Sequence, residues 1–210
     1  MKSFSTFVYA VLAGLCISLG GMCFLMAESR VVGALFFTVG LFTILLFGFN
    51  LFTGKVCYVF ENPPKYLLTV LLIWLGNLCG CVLGGYALRL TRLVDLAEKA
   101  RTLCAVKLSD GLLSVFILAV LCNIFIFIAV DGYKNAKHDL GRYLAVFFGV
   151  SCFVLCGLEH CVANMFYFSI ANVWSVRAVG YLLVMTLGNA CGGVIFPLLR
   201  RFWQKHNPAA

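Results

Sequence analysis

The sequence predicts an all-α membrane protein with six transmembrane helices, in two inverted three-helix repeats whose second and fifth helices are interrupted. The chain of 210 residues is 63% hydrophobic and 11% charged, whereas soluble domains are about 25% charged. Apolar segments long enough to cross a bilayer recur along its whole length. Two of these segments exceed the length of one span, and motifs of the first half recur in the second. The composition therefore excludes a soluble domain and favours one polytopic bundle.

Six apolar segments follow one another with mostly short connections between them. They cover about 5–27, 31–60, 66–88, 111–130, 141–170 and 178–199. The first is longer than the apolar core of a signal peptide, and "GGMCFLMAESR" has no clear cleavage site, so we expect it to be retained. We predict a single domain, with repeat one at about 1–88, a surface connection at 89–110, repeat two at about 111–199 and a cytoplasmic tail at 200–210.

The second and fifth segments, 31–60 and 141–170, are the long ones. About 20 residues suffice to cross the hydrocarbon core, and each of these has about 30, with polar residues in its middle. This pattern predicts a broken helix. Irregular backbone at membrane depth is tolerated only where it lines a cavity or is buried in protein.

The connection 89–110 is the only long one. Apolar residues recur with helical spacing among charged ones at Leu90, Leu93, Val94, Leu96 and Ala97. This spacing predicts a short amphipathic helix on the membrane surface. A tethering loop without a role of its own is an equally open interpretation.

The net charge of +8 comes from 16 Lys and Arg, which lie almost wholly in connections and at the termini. This placement serves orientation and contact with lipid headgroups, so nucleic-acid binding is not expected. Outside the long connection, the charge bias favours both termini in the cytoplasm, in the inner (plasma) membrane. The 11 Cys mostly stand singly in apolar runs and lack metal-site spacing, so no metal is expected.

Three pairs of motifs suggest an internal repeat. "NLCGCVLGG" from Asn77 matches "NACGGVIFP" from Asn189, and "FFTVGLF" matches "FFGVSCF". "GFNLFTG" matches "GLEHCVA", which pairs Asn50 with Glu159 and Leu51 with His160. Because three spans are an odd number, the two halves must be inverted relative to each other, and such halves often enclose a pathway at the midplane.

Glu159 is the only acid deep in an apolar run, and His160 is the only midspan histidine. A charge near the bilayer centre costs at least ~2.5–3.5 kcal/mol and usually faces a pore or a partner. Two structural interpretations stay open: His160 as a core histidine bonded to a carbonyl, and Glu159 as a carboxylate that caps broken helices or holds His160. Haem would usually require histidines from two spans, so no cofactor is expected.

Five motifs together resemble the formate/nitrite transporter family. They are "GFNLFTGKV", "GNLCGC", "CNIFIFIAV", "GLEHCVANMF" and "GNACGG", in the family's order over nearly the whole chain. The resemblance implies an aquaporin-like fold of six helices in two inverted halves, a homopentamer, and one pore per protomer. The chain's one "NPA" triplet, at residues 207–209, stands in the predicted tail and not in an apolar segment, which argues against an aquaporin itself.

The resemblance also implies roles for individual residues. His160 would be the central pore histidine and Glu159 the group that orients it. The other implied pore residues are Thr53, Lys107 and Asn164, with Leu51, Phe52 and Phe166 as the apolar constriction. The chain departs from the family at Asn50, where an acid is usual, and in its short N-terminal extension.

The implied function is a channel or transporter, not an enzyme, for small monovalent weak-acid anions. A naked anion pays a large desolvation cost in an apolar constriction and a neutral acid does not, so we expect His160 to hand a proton to the anion. Formate is the preferred substrate, with nitrite and hydrosulfide as alternatives of the same family. A membrane anchor subunit of a redox enzyme and a structural protein are the alternatives of other classes.

Overall fold

The computed structural model describes residues 2–207, and this range is predominantly α-helical, as the composition predicts. The helices are α1 (Lys2–Met26), α2 (Arg30–Phe47), α3 (Phe52–Lys55), α4 (Tyr66–Arg89), α5 (Leu96–Ser109), α6 (Leu112–Asn135), α7 (Asp139–Leu155), α8 (Cys161–Ala171) and α9 (Val176–His206). A 3-10 helix, Val56–Glu61, follows α3 directly. In the described range five helices, α1, α2, α4, α6 and α9, are long and apolar enough to cross a membrane.

Two helices run further than the apolar segments that predict them. α6 continues to Asn135 and α9 to His206, beyond the expected ends at 130 and 199. An ion pair joins these extensions, with Arg200 Nη2 2.6 Å from Asp131 Oδ2. Because each charge has a partner on the other helix, the polar ends can remain helical beside the apolar bundle.

The helices pack in two similar groups. α1 lies against α4 and α2, and α6 lies against α9 and α7. Glycine permits the closest approach in both groups: a Cβ on Gly80 would lie 2.1 Å from the Val11 carbonyl oxygen, and one on Gly192 would lie 2.1 Å from that of Val120. These glycines therefore act as contact points between helix backbones.

Two non-helical linkers divide the long second and fifth apolar segments. The first linker, residues 48–51, joins α2 to α3, and the second linker, residues 156–160, joins α7 to α8. Gly48 and Gly157 both have φ 69°, the left-handed conformation that favours glycine. The residue after each glycine donates its N–H to a carbonyl five residues earlier. The two helices therefore end with the same kind of turn.

One asparagine holds each linker in place. Asn77 donates to the Ala10 and Asn50 carbonyl oxygens at 2.8 and 2.9 Å and accepts the Phe52 N–H at 2.8 Å. Asn189, which the sequence motifs pair with Asn77, makes matching bonds. It donates to Ala119 O and Glu159 O at 2.8 Å each and accepts the Cys161 N–H at 2.8 Å. Backbone groups that the helix ends leave free are thus satisfied without water.

Helix α5 differs from the prediction in its start and in its surroundings. It begins at Leu96, not at Leu90, and its apolar face packs on α8 and α1. Two cations fix it there: Lys99 Nζ donates to Leu25 O at 3.0 Å, and Arg101 Nε donates to Ala171 O at 3.2 Å. The buried face holds Leu96, Ala97, Ala100, Cys104 and Lys107. Burial raises the pKa of the Cys104 thiol to about 12, so this thiol stays neutral.

Candidate functional site

A cavity of about 560 Å³, here called the larger cavity, opens beside α5. Its polar walls include Lys107 from α5, Glu159 and His160 from the second linker, and Asn164 from α8. The structure thus brings together four of the residues that the sequence analysis proposed for the site. The cavity also has charged residues of both signs around it, because Arg30, Lys99, Glu28 and Asp110 line it too.

Lys107 and Glu159 form a buried ion pair. Lys107 Nζ lies 2.7 Å from Glu159 Oε2, and the two side chains are only 9% and 4% exposed. Asn164 Nδ2 donates to the same carboxylate oxygen at 2.8 Å and to His160 O at 3.1 Å. A buried carboxylate requires such partners, because desolvation of an isolated charge costs several kcal/mol. Glu159 is therefore charge-compensated within the protein.

His160 stands at the start of α8 with both ring nitrogens in contact with protein. Nδ1 accepts the Ala163 N–H at 3.0 Å, and Nε2 lies 2.9 Å from Thr53 Oγ1. Since a neutral imidazole has one donor and one acceptor, the Ala163 bond assigns the proton to Nε2. The neutral ring thus directs an N–H toward the Thr53 hydroxyl.

Glu159, which the resemblance implies as the group that orients His160, makes no hydrogen bond with the imidazole. The Glu159 carboxylate contacts Lys107 and Asn164, and the imidazole contacts Ala163 and Thr53. The physical reason is that an ammonium group is a stronger partner for a carboxylate than a neutral ring nitrogen. The Ala163 N–H and the Thr53 hydroxyl set the ring orientation instead.

Thr53 brings the first half of the chain to His160. It is fully buried in α3, and its carbonyl oxygen accepts a hydrogen bond from Asn123 Nδ2 at 3.1 Å. A neutral hydroxyl can accept from Nε2 and still donate its own proton elsewhere. The pair Thr53–His160 is therefore a point where both halves contribute to one hydrogen-bonding site.

The predicted constriction residues separate into two places. Leu51 lines a smaller cavity of about 130 Å³, which shares no lining residue with the larger one. Phe52 is buried next to it in sequence. Phe166 lines neither cavity: its ring packs against Tyr167 and lies over Gly21 of α1. The structure thus places Phe166 in the packing between α8 and α1.

Two other aromatic residues lie beside the imidazole. Phe153 stacks on the His160 ring, with centroids 5.5 Å apart and planes at 19°, and Phe37 packs edge-on against Phe153. Both line the larger cavity. Sequence reasoning did not single them out, although both lie in the repeated motifs "FFTVGLF" and "FFGVSCF".

Comparison with known proteins gives one consistent family. The family model described as formate/nitrite transporter matches residues 1–203. The uncharacterized transporter YrhG of Bacillus subtilis is 28% identical over 194 residues, covering 85% of this chain and 73% of the relative. A probable formate transporter of Methanothermobacter thermautotrophicus is 28% identical, covering 79% of this chain and 71% of the relative. The formate channel FocA of Haemophilus influenzae is 24% identical, covering 92% of this chain and 84% of the relative.

Two solved structures have the same fold. A pentameric formate channel with formate bound superposes with a TM-score of 0.82 at 23% identity, covering 98% of both chains. An FNT family ion channel gives a TM-score of 0.81 at 23% identity, covering 95% of this chain and 90% of that chain. At this level of identity, these likenesses establish the fold.

Proposed function

This chain belongs to the formate/nitrite transporter family, and we propose that it conducts small monovalent weak-acid anions, with formate as the first candidate. As a member of this family it is a multi-pass membrane channel or transporter and not an enzyme. Nitrite and hydrosulfide are the alternative substrates within the family. The observation that carries the proposal is the His160–Thr53 contact of 2.9 Å, made where the two halves meet beside the larger cavity.

The proposed architecture is one domain of six spans in two inverted repeats. α2 with α3, and α7 with α8, each form one span that a linker interrupts. The matching hydrogen bonds of Asn77 and Asn189 support this arrangement. The pentameric state of a channel with the same fold supports a homopentamer. By charge bias, both termini lie in the cytoplasm, in the plasma membrane.

The apolar region around Leu51 and Phe52 is the energy barrier that the transported anion has to cross. An unpaired anion pays a large desolvation cost in such surroundings, whereas its neutral acid does not. Proton transfer from an imidazolium to formate in water is uphill by about 2.5 pKa units, or about 3.5 kcal/mol. In a dry site the balance shifts, because transfer removes two charges that burial disfavours.

The bonds of His160 impose a condition on this proton transfer. An imidazolium has protons on both nitrogens, but Nδ1 accepts the Ala163 N–H in the structure. The ring must release Ala163 before it can take up a second proton. The Nε2 proton, which faces Thr53, is the one available to the anion. Proton uptake is thus coupled to a local movement at the start of α8.

Asn164 offers the acceptor that a neutral acid requires. Its amide nitrogen is engaged by Glu159 and by the His160 carbonyl, which fixes the orientation of the amide. Its Oδ1 is buried without a hydrogen-bond partner among the described residues, and Asn164 lines the larger cavity. A protonated acid has an O–H to donate there, whereas its anion has none. Asn164 would therefore favour the protonated form.

The test is formate uptake into vesicles under an imposed pH gradient. We expect His160→Phe to lower the uptake rate at least about 100-fold, the range of a lost proton-transfer group. His160→Asn keeps an α8 cap and should be equally inactive although folded. His138→Phe, an exposed histidine, is the matched control and should transport normally. Unchanged uptake by a folded His160→Phe protein would refute the proton hand-off.

The same vesicles can rank the substrates. Formate, nitrite and hydrosulfide are supplied separately at equal concentration and equal pH gradient. We expect formate to give the fastest uptake of the three. If nitrite or hydrosulfide were taken up faster, the family function would stand and that anion would replace formate as the proposed substrate.

A further inference from the structure

The smaller cavity has two cationic residues in its wall. Lys55, from α3, and Lys134, from the end of α6, line it together with the apolar residues Leu41, Ile44 and Leu51. Its volume of about 130 Å³ equals the share of about four water molecules in the liquid. This space accommodates one triatomic or tetrahedral anion with some of its water.

Neither lysine has a carboxylate partner in the described residues 2–207. The ion pairs there are Arg101–Glu98, Lys107–Glu159, Arg142–Asp139 and Arg200–Asp131. The nearby acid Asp131 is thus held by Arg200, and Glu61 is exposed on the 3-10 helix. The Lys134 ammonium lies over the Tyr58 ring, 4.1 Å from its centroid, a cation–π contact that brings it no opposite formal charge.

The larger cavity presents the opposite situation. Its Lys107 is neutralised by Glu159 at 2.7 Å, and the other charges in its wall are of both signs. At the smaller cavity two like charges, Lys55 and Lys134, line one space and repel each other. An anion between them relieves that repulsion, and the apolar walls strengthen the attraction by lowering the local dielectric constant.

We propose that the smaller cavity is a second anion site, in which Lys55 and Lys134 hold a small inorganic or carboxylate anion beside Leu51. This proposal rests on the proposed function, because the transported anion would bind at this site either on entering the channel or before leaving it. Two unpaired lysines also favour a divalent anion over a monovalent one. Sulfate, which has no readily formed neutral acid at neutral pH, should therefore bind there and block transport.

The experiment measures formate flux in vesicles at increasing sulfate concentration, and formate binding by NMR line broadening in detergent. We expect sulfate to inhibit the wild type. In Lys55→Met and Lys134→Met, half-inhibition should require up to about fivefold more sulfate each, the scale of a partly exposed ion pair. The half-saturation concentration of formate flux should rise in the same variants. Both effects should shrink at high ionic strength, since screening weakens exposed charges.

Two further variants keep the result interpretable. Lys55→Arg with Lys134→Arg retains both charges and should retain sulfate inhibition, which excludes misfolding as the cause of a loss. Lys137→Met removes an exposed cation near the same end of α6, outside the cavity wall, and should behave as wild type. Equal sulfate sensitivity in the wild type and the Lys55→Met/Lys134→Met double variant would overturn the second site. Absence of formate flux in the wild type would instead overturn the proposed function, while the NMR measurement still reports on the site.

Discussion

The two linkers share their backbone scaffold and differ in their chemistry. Each contains a glycine in the left-handed conformation, Gly48 or Gly157, and each is held by an asparagine from a later helix. In the first linker Asn50 donates only to the Thr6 carbonyl oxygen of α1 through its side chain. At the equivalent place in the second linker Glu159 has a charge, which Lys107 compensates.

The difference traces to α5, the connection between the two halves. α5 lies between the two halves, and it supplies the lysine that a buried carboxylate requires. A titratable group is costly at membrane depth, so it occurs where a partner is available. The two linkers thus share a frame, and the charged pair of the second linker depends on a lysine from the connection between the two halves.

The largest effect is expected from removal of the charge partner. Lys107→Met leaves the Glu159 carboxylate unpaired, and we expect the free energy of unfolding to fall by about 3–5 kcal/mol. Asn50→Leu, at the equivalent place, should cost only about 1 kcal/mol for its single weak bond. Thermal unfolding in detergent measures both.

The double variant Lys107→Met with Glu159→Gln is the control for this prediction. It removes both charges, so it should recover much of the lost stability. If Lys107→Met and Asn50→Leu were equally mild, the second linker would not depend on its ion pair and the comparison would fail.

The next effect concerns the shared scaffold. Asn77→Leu and Asn189→Leu each remove three hydrogen bonds to the backbone. We expect each to lower the unfolding free energy by about 3 kcal/mol, because backbone groups are left unsatisfied. The two values should agree, since the bonds are equivalent. Asn62→Ala, an exposed asparagine with one local bond, should change stability little, and a large gap between Asn77 and Asn189 would show that the halves are not held alike.

Most of the helices could be predicted from the sequence, because the length of a span and its apolar composition are local properties of the chain. The sequence did not predict that α6 and α9 extend to Asn135 and His206. The ion pair that joins these extensions is made by Asp131 and Arg200, which lie far apart in the sequence. The start of α5 was also misplaced. Its apolar pattern began at Leu90, but Leu90 is 89% exposed and the packed face begins at Leu96.

The candidate site was predictable in its members and not in its contacts. Glu159 and His160 stood out because ionisable residues are rare in apolar runs. The family resemblance implied that Glu159 orients His160, but the linker directs Glu159 toward Lys107 and His160 toward Thr53. Phe153 escaped notice because 20 phenylalanines give no local signal for the one that stacks on an imidazole.

A smaller effect is expected at the two glycines. Gly48→Ala and Gly157→Ala force a Cβ into the left-handed region, which costs about 1–2 kcal/mol. Gly157→Ala should be the worse of the two, since its Cβ would meet Arg30 Nη2, whereas nothing surrounds that of Gly48. Gly111→Ala is the matched control, with open space and φ −72°. The thermal unfolding temperature of Gly111→Ala should be close to that of the wild type. An equally small effect at all three positions would show that the left-handed turns of the two linkers do not require glycine.

The smallest stability effect is expected at Thr53, where the two halves of the chain meet. Thr53→Val removes the hydroxyl that contacts His160 Nε2 and should lower the unfolding free energy by only about 1 kcal/mol. Its effect on formate uptake should be disproportionate, since the first half would no longer take part in the hydrogen bond beside the larger cavity. Thr53→Ser keeps the hydroxyl and should restore uptake. Stability losses without a change in uptake would assign Thr53 to packing alone, and the first half would then supply only the frame and the apolar barrier.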